Sequence, residues 1–219
     1  MLLYLIVIVI TYGLVAGLNI IFHVGNHPWW YYLVFTLGAC LVVFLLDALV
    51  AIIIRRMPEK WMNYKKKLFY TSDKEIKFYQ AIKVNKWKDK VPELGGFTNF
   101  HKDKVERPFD DEYIKRFILE ACYGIAIHIY SVPASFLVLL CDYNIYMGGS
   151  WLWLTICLPV AVVNAILIVL PAFILKFNLP RLIRIHENNL LLEERKKQKA
   201  LENGEIEVNP EMDTLQKNS

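Results

Sequence analysis

Four cysteines occur in 219 residues, Cys40, Cys122, Cys141 and Cys157, and no two have CxxC or other metal-ligand spacing. Neither a disulfide framework nor a zinc site is therefore expected. Three of the four lie in apolar runs, where a free thiol behaves as a small hydrophobe. Enzymatic fingerprints are missing as well: there is no GxSxG, no P-loop, no HExxH and no His followed five residues later by Asp. His101 to Glu106 only approximates the last pattern. No metal and no cofactor are expected. Positive charge is absent from two short connections, 22–29 and 141–150. Of the 25 Lys and Arg residues, 17 fall between Arg55 and Arg116 and the other 8 from Lys176 onward.

What the chain has in quantity is apolar sequence, 56% of its residues, gathered in four blocks: Leu2–Phe22, Trp29–Ile54, Phe117–Leu140 and Trp151–Leu175. About 20 apolar residues suffice for a helix to cross a hydrocarbon layer of about 30 Å. The first block has no basic segment before it and no small-x-small cleavage site after it, so it reads as a retained helix rather than a secretory signal. Lys and Arg collect in cytoplasmic loops. The expected fold is thus an all-α integral membrane protein with four transmembrane helices and both termini cytoplasmic. Residues 1–54 carry helices 1 and 2, and 55–116 form a basic, partly helical cytoplasmic loop. Residues 117–175 carry helices 3 and 4, and 176–219 form a cytoplasmic tail, disordered towards its end. Helical stretches are expected in the loop over 59–69 and 72–83, and in the tail over 176–200.

Within the loop, KFYQAIKVNKWKDKVPE (77–93) threads Phe78, Tyr79, Ile82, Val84, Trp87 and Val91 through lysines. Between two membrane helices, such a segment suits an anionic lipid surface, with Trp87 at the water–lipid boundary and Lys86 and Lys88 facing headgroups. Nucleic acid is not expected as a partner, because the positive-inside bias already accounts for the charge. A solvated loop helix is the plainer alternative.

Ionisable groups inside apolar helices are costly and face a bundle interior or an aqueous cavity. Here they are Asp47 in helix 2, with Glu120 and His128 in helix 3. At 1.5 Å per residue from the nearest basic residue, Glu120 lies about 6 Å in, Asp47 about 12 Å and His128 about 18 Å, level with Asn164 of helix 4. Glu120 and His128 are too far apart for a hydrogen bond, whereas a His128–Asn164 pair beside Asp47 is geometrically allowed. Such a cluster suits general-base work on a hydroxyl, or equally a polar network that fixes helix packing.

KFYQAIKVNKWKDKVPELG, then FILEACYGIAIHIYSVP, then LPAFILKFNLPRLIRI occur in that order. Together they resemble the glycosyl-4,4'-diaponeurosporenoate acyltransferase family from about Tyr70 to Ile185, with a fainter echo at Leu18-Asn19-Ile20. These small bacterial membrane proteins attach a fatty acyl chain to the glucosyl group of a C30 carotenoid ester. The resemblance implies matches at Lys86-Trp87-Lys88, Glu120, His128, Asn178 and Arg181. It departs where the family pattern has Arg-Ala-Glu, here Tyr123, Gly124 and Ile125, and where Gln-Arg-Tyr-Asn-Arg is Leu175 to Leu179. The implied activity is acyl transfer to a hydroxyl of a glycolipid or glycosylated isoprenoid, with His128 as base and Glu120 a second catalytic candidate, to which the depth argument adds Asp47. Trp87, Lys86, Lys88, Asn164, Asn178 and Arg181 would hold substrate. Membrane lipids and an acyl donor (acyl-CoA, acyl carrier protein or phospholipid) are the implied partners. The alternative, motivated by the missing charges, is a non-catalytic accessory on the same scaffold that binds lipid or a membrane-protein partner.

Overall fold

The computed structural model describes residues 2–91, 105–142 and 151–203. Among these every regular element is helical: α1 (Leu2–Ile21), α2 (Trp29–Arg55), α3 (Asp73–Ala81), α4 (Val84–Trp87), α5 (Asp111–Ser135) and α6 (Leu158–Glu202). A 3₁₀ segment, Phe136–Cys141, extends α5, and a π-turn, Trp153–Cys157, leads into α6. Four of these helices are long and apolar enough to cross a membrane. Leu5, Val9, Leu14, Leu41, Phe44 and Leu49 on α1 and α2 are each more than half exposed, an outward apolar belt that a hydrocarbon solvent would suit.

Two boundaries differ from the sequence expectation. The stretch 59–69 is not a helix but a 3₁₀ turn, Glu59–Trp61, followed by turns. Asn63 accepts from the Lys65 backbone N–H at 2.9 Å, a local bond that competes with helix formation. The fourth apolar block and the tail helix are also one element. At 45 residues, α6 runs for about 68 Å, more than twice a hydrocarbon layer. The segment 72–83 does hold a helix, because Ser72 caps α3 reciprocally with Glu75. The breaks expected at Pro92, Gly95 and Gly96, the residue His101 and the end of the tail lie outside the described residues.

A 45-residue helix with prolines at 159, 171 and 180 needs a physical account. Proline has no N–H, so each leaves the carbonyl four residues earlier without its helical donor. Those carbonyls belong to Thr155, Leu167 and Lys176, and each receives a side-chain donor from another part of the fold. Asn19 of α1 donates to Thr155 O at 3.1 Å, and the Tyr4 hydroxyl of α1 donates to Leu167 O at 3.0 Å. The Thr71 hydroxyl, just before α3, donates to Lys176 O at 3.0 Å. Asn19 is 2% exposed and fully engaged, since it also donates to Val15 O and accepts from the Thr155 hydroxyl at 2.6 Å. The prolines therefore persist inside a continuous helix because neighbours satisfy the groups they release.

The basic middle segment is not laid out in solvent. Met62 and Phe69 join Ile54, Ile114, Phe117, Ile118, Cys122, Leu179 and Leu182 in a core at the Arg55 end of the bundle. Tyr79, Val84 and Val91 pack with Ile174, flanked by Trp87, Phe173, Phe177 and Tyr4. Tyr79 meets Phe173 and Phe177 with ring centroids 5.5 and 6.3 Å apart, and the Trp87 indole N–H donates to Ile82 O at 2.9 Å. Lys176 pairs with Glu75 at 2.7 Å and pins α3 to α6. Burial raises the Glu75 pKa, but Lys176 and the Ser72 bonds outweigh it, so the carboxyl sits below its ordinary value.

Two predictions follow from these contacts. Tyr4→Phe strands the Leu167 carbonyl and costs about 1–3 kcal/mol, but costs little alongside Pro171→Ala, where the alanine N–H reaches that carbonyl. Thermal unfolding of the four forms in detergent measures this coupling, and additivity would rule it out. Because the Glu75 pKa is depressed in the fold, its stabilisation is present above the ordinary 4.5 and is lost as pH falls through the lowered value. Glu75→Gln should therefore flatten the acid limb of a stability–pH curve.

Candidate functional site

Three polar constellations lie in the described structure. Deep in the bundle, the Asn164 amide donates both hydrogens, to Asp47 Oδ2 at 2.9 Å and to Ser135 Oγ at 2.9 Å. Ser135 in turn donates to Ser131 O at 2.9 Å. Asp47 and Asn164 are thus brought together as the sequence allowed. The His128–Asn164 pair is not formed: the Asn164 amide nitrogen turns to Asp47 and Ser135. His128, half-buried on α5, makes no side-chain hydrogen bond among the described residues.

At the Arg55 end, Glu120 joins a charge cluster. Arg55 Nη1 reaches Glu120 Oε2 at 2.5 Å and Arg116 Nη2 reaches Oε1 at 2.8 Å, while Arg116 also reaches Glu59 at 3.2 Å. The carboxylate is 9% exposed and its arginines 45% and 53%, so the anion is sheltered and its partners keep much of their hydration. The Arg55 guanidinium also lies over the Tyr123 ring, 5.6 Å from its centroid, and the Tyr123 hydroxyl donates to Met57 O at 2.8 Å. These contacts join the ends of α2 and α5.

The third constellation was not expected from sequence. His186 Nδ1 lies 2.5 Å from Asp111 Oδ1, and Lys115 Nζ lies 2.8 Å from Asp111 Oδ2. An ionised carboxylate only accepts, so the Nδ1–H points to Asp111 and Nε2 is the ring nitrogen outside that bond. His186 is 7% exposed and helps wall a cavity of about 270 Å³, together with Glu59, Lys60, Asn63, Tyr64 and Lys115. Leu179, Leu182, His186 and Asn189 are the buried positions on this part of α6, at helical spacing. Asn189 Nδ2 fixes the register by donating to Pro108 O at 2.8 Å. That 3-4-3 spacing was the available signal, hidden in a stretch that otherwise reads as a solvated helix.

The remaining residues singled out from sequence are dispersed. Trp87 is half-buried against α6, Lys86 is exposed, and Lys88 is half-buried. Asn178 has an amide nitrogen that is buried without a partner, and Arg181 is exposed. No group of three His, Cys, Asp or Glu residues among the described residues is placed to hold a metal ion. The four cysteines are free thiols.

Comparison with known proteins adds the decisive observation. A family model for glycosyl-4,4'-diaponeurosporenoate acyltransferase matches residues 58–188, more than half of the chain. The chain belongs to that family. No curated protein and no solved structure matches it. The match includes Asp111, Lys115, Glu120, His128 and His186, and every wall residue of the cavity beside His186, but neither Asp47 nor Arg55. Where the acyltransferase pattern has Arg-Ala-Glu, this family member uses the positions for packing. Tyr123 carries the contacts to Arg55 and Met57, a Cβ on Gly124 would come 2.7 Å from Leu175 Cδ1, and Ile125 is fully buried.

With the arginines half exposed, the Glu120 cluster should contribute only about 1 kcal/mol per pair. Glu120→Gln is expected to lower the melting temperature modestly, and Arg55→Ala and Arg116→Ala to cost less in the Gln background than alone. Full additivity of the three would show that the pairs are not coupled.

Proposed function

We propose that this chain is a membrane-bound acyltransferase that passes a fatty acyl group to a hydroxyl of a glycolipid or glycosylated isoprenoid at the cytoplasmic face of the cell membrane. Family membership supports the reaction class. Four apolar helices support the membrane, and the gathering of Lys and Arg at the end that carries the cavity supports the cytoplasmic side. The observation that carries the assignment of residues is the His186–Asp111 pair in the wall of a cavity lined by the matched segment.

In this reading His186 Nε2 takes the proton of the acceptor hydroxyl, and Asp111 holds the ring and steadies the imidazolium that forms. The acceptor oxygen bonds to the donor's acyl carbon. The bond from that carbon to the leaving sulfur or oxygen then breaks, and His186 returns the proton to the leaving group. Lys60, on the same wall, offers positive charge to the oxyanion that develops in between. The donor is an acyl-CoA, an acyl carrier protein or a phospholipid. Glu120 and the Asp47–Asn164–Ser135 network hold the helices rather than the substrate.

The test is a transfer assay in lipid vesicles with labelled acyl donors and a total lipid extract as acceptor. His186→Ala is expected to lower the rate by about 10²–10⁴ and Asp111→Asn by less, with His128→Ala close to the parent. Loss on His128→Ala with His186→Ala intact would move the base to His128. No product from any donor, beside a working family member, would favour the accessory role.

A further inference from the structure

A second concavity, of about 220 Å³, lies between α4 and α6 and has a different chemistry. Its wall includes Tyr79, Gln80, Lys83, Asn85, Lys86 and Phe177, with no carboxylate among the lining residues. Neither Lys83 nor Lys86 forms an ion pair among the described residues, and the nearest acid along α3, Glu75, is already committed to Lys176 at 2.7 Å. Tyr79 is 3% exposed, yet its hydroxyl has no hydrogen-bond partner among the described residues. Burial, helped by the Glu75 charge, pushes that hydroxyl's pKa up to about 12, so it is held as a donor. Two cations, two amides and an unused hydroxyl thus face one hollow.

The backbone adds a separate sign. Lys83 has φ 54°, in the left-handed region where glycine is the ordinary residue after a helix. The chain keeps a lysine there, and the turn that results, with Lys86 N–H bonded to Lys83 O at 2.8 Å, sets the two lysines three residues apart at one hollow. Backbone strain of this kind is tolerated where a side chain has work at that point.

Depth settles which anion. Phe78 and Tyr79 pack on Phe173, inside the last apolar turns of α6, and Tyr4 of α1 joins the same cluster. Phe78 remains 49% exposed beside Lys77 and Lys74. The hollow therefore sits where the apolar belt gives way to the charged end, the level at which lipid phosphates lie. We propose that the Lys83–Lys86 hollow binds the phosphate of an anionic phospholipid, with Tyr79 and the Gln80 and Asn85 amides as further donors. The site is separate from the His186 cavity and does not depend on acyl transfer.

The experiment measures binding of short-chain phosphatidylglycerol to the purified full-length protein in neutral detergent by native mass spectrometry. Phosphatidylcholine, sodium phosphate and coenzyme A are the comparison ligands. Each lysine near a phosphate is worth about 1 kcal/mol, so Lys83→Gly combined with Lys86→Gln should weaken phosphatidylglycerol about thirtyfold. Lys196→Gln with Lys197→Gln, the same loss of charge far along α6, should leave affinity within about twofold. Lys83→Gly relieves the left-handed backbone and should raise the melting temperature, so a loss of binding in it is not a loss of fold. Unchanged affinity in the Lys83/Lys86 variant overturns the proposal. Equal binding of phosphatidylcholine overturns it as well, and sodium phosphate or coenzyme A occupying the hollow while phosphatidylglycerol does not would assign it to a soluble anion.

Discussion

An unpaired carbonyl in apolar surroundings is among the more expensive things a helix can contain, and α6 contains three places where proline creates one. The rest of the molecule is arranged around that constraint. Asn19 and Tyr4 place α1 against the far and middle parts of α6, and Thr71 brings the start of α3 to its basic end. These contacts are directional, unlike the apolar packing between the same helices, so they select one rotation and one depth for each partner. Apolar packing alone would let α1 slide or turn against α6 with little loss.

Because Pro180 does not end the helix, α6 continues beyond the apolar belt as a rigid support. Leu179 and Leu182 extend the core at the Arg55 end, and one turn further His186 arrives opposite Asp111 in the first turn of α5. The position of that imidazole thus depends on the Thr71 hydroxyl, which answers the Lys176 carbonyl ten residues earlier on α6 and keeps the helix continuous there. The short connection between α5 and α6 contributes as well, since Asp142, buried before it, accepts from the Trp153 backbone N–H after it at 2.9 Å. Site and scaffold are the same hydrogen-bond problem at different depths.

Much of the helix inventory was legible in the sequence because apolar length and charge placement report directly on it. Glu120 near basic residues followed from rise per residue alone, and so did Asp47 within reach of Asn164, about 6 Å nearer the basic end. His128 and Asn164 were level, yet the Asn164 side chain is turned to Asp47 and Ser135. Depth along a helix is readable from residue counts; rotation about its axis is set by tertiary contacts. His186 was missed for a related reason. Its partner is 75 residues away, and its neighbours Arg184, Glu187 and Asn188 make the stretch look uniformly wet. Likewise, the aromatics threaded through the lysines of 77–93 were plain in the sequence, but their packing on α6 was not.

The contacts made by α1 bear on how the protein is made. Translation releases α1 well before α6, and the matched family segment begins only at residue 58, after α1 and α2 are complete. Two of the three donors that α6 requires are therefore synthesised well over a hundred residues before the carbonyls that need them. When α6 emerges, Asn19 and Tyr4 have already been made. Assembly of this bundle closes from its end back to its beginning, and a chain that lost its first helix would reach its last with two carbonyls and nothing to answer them.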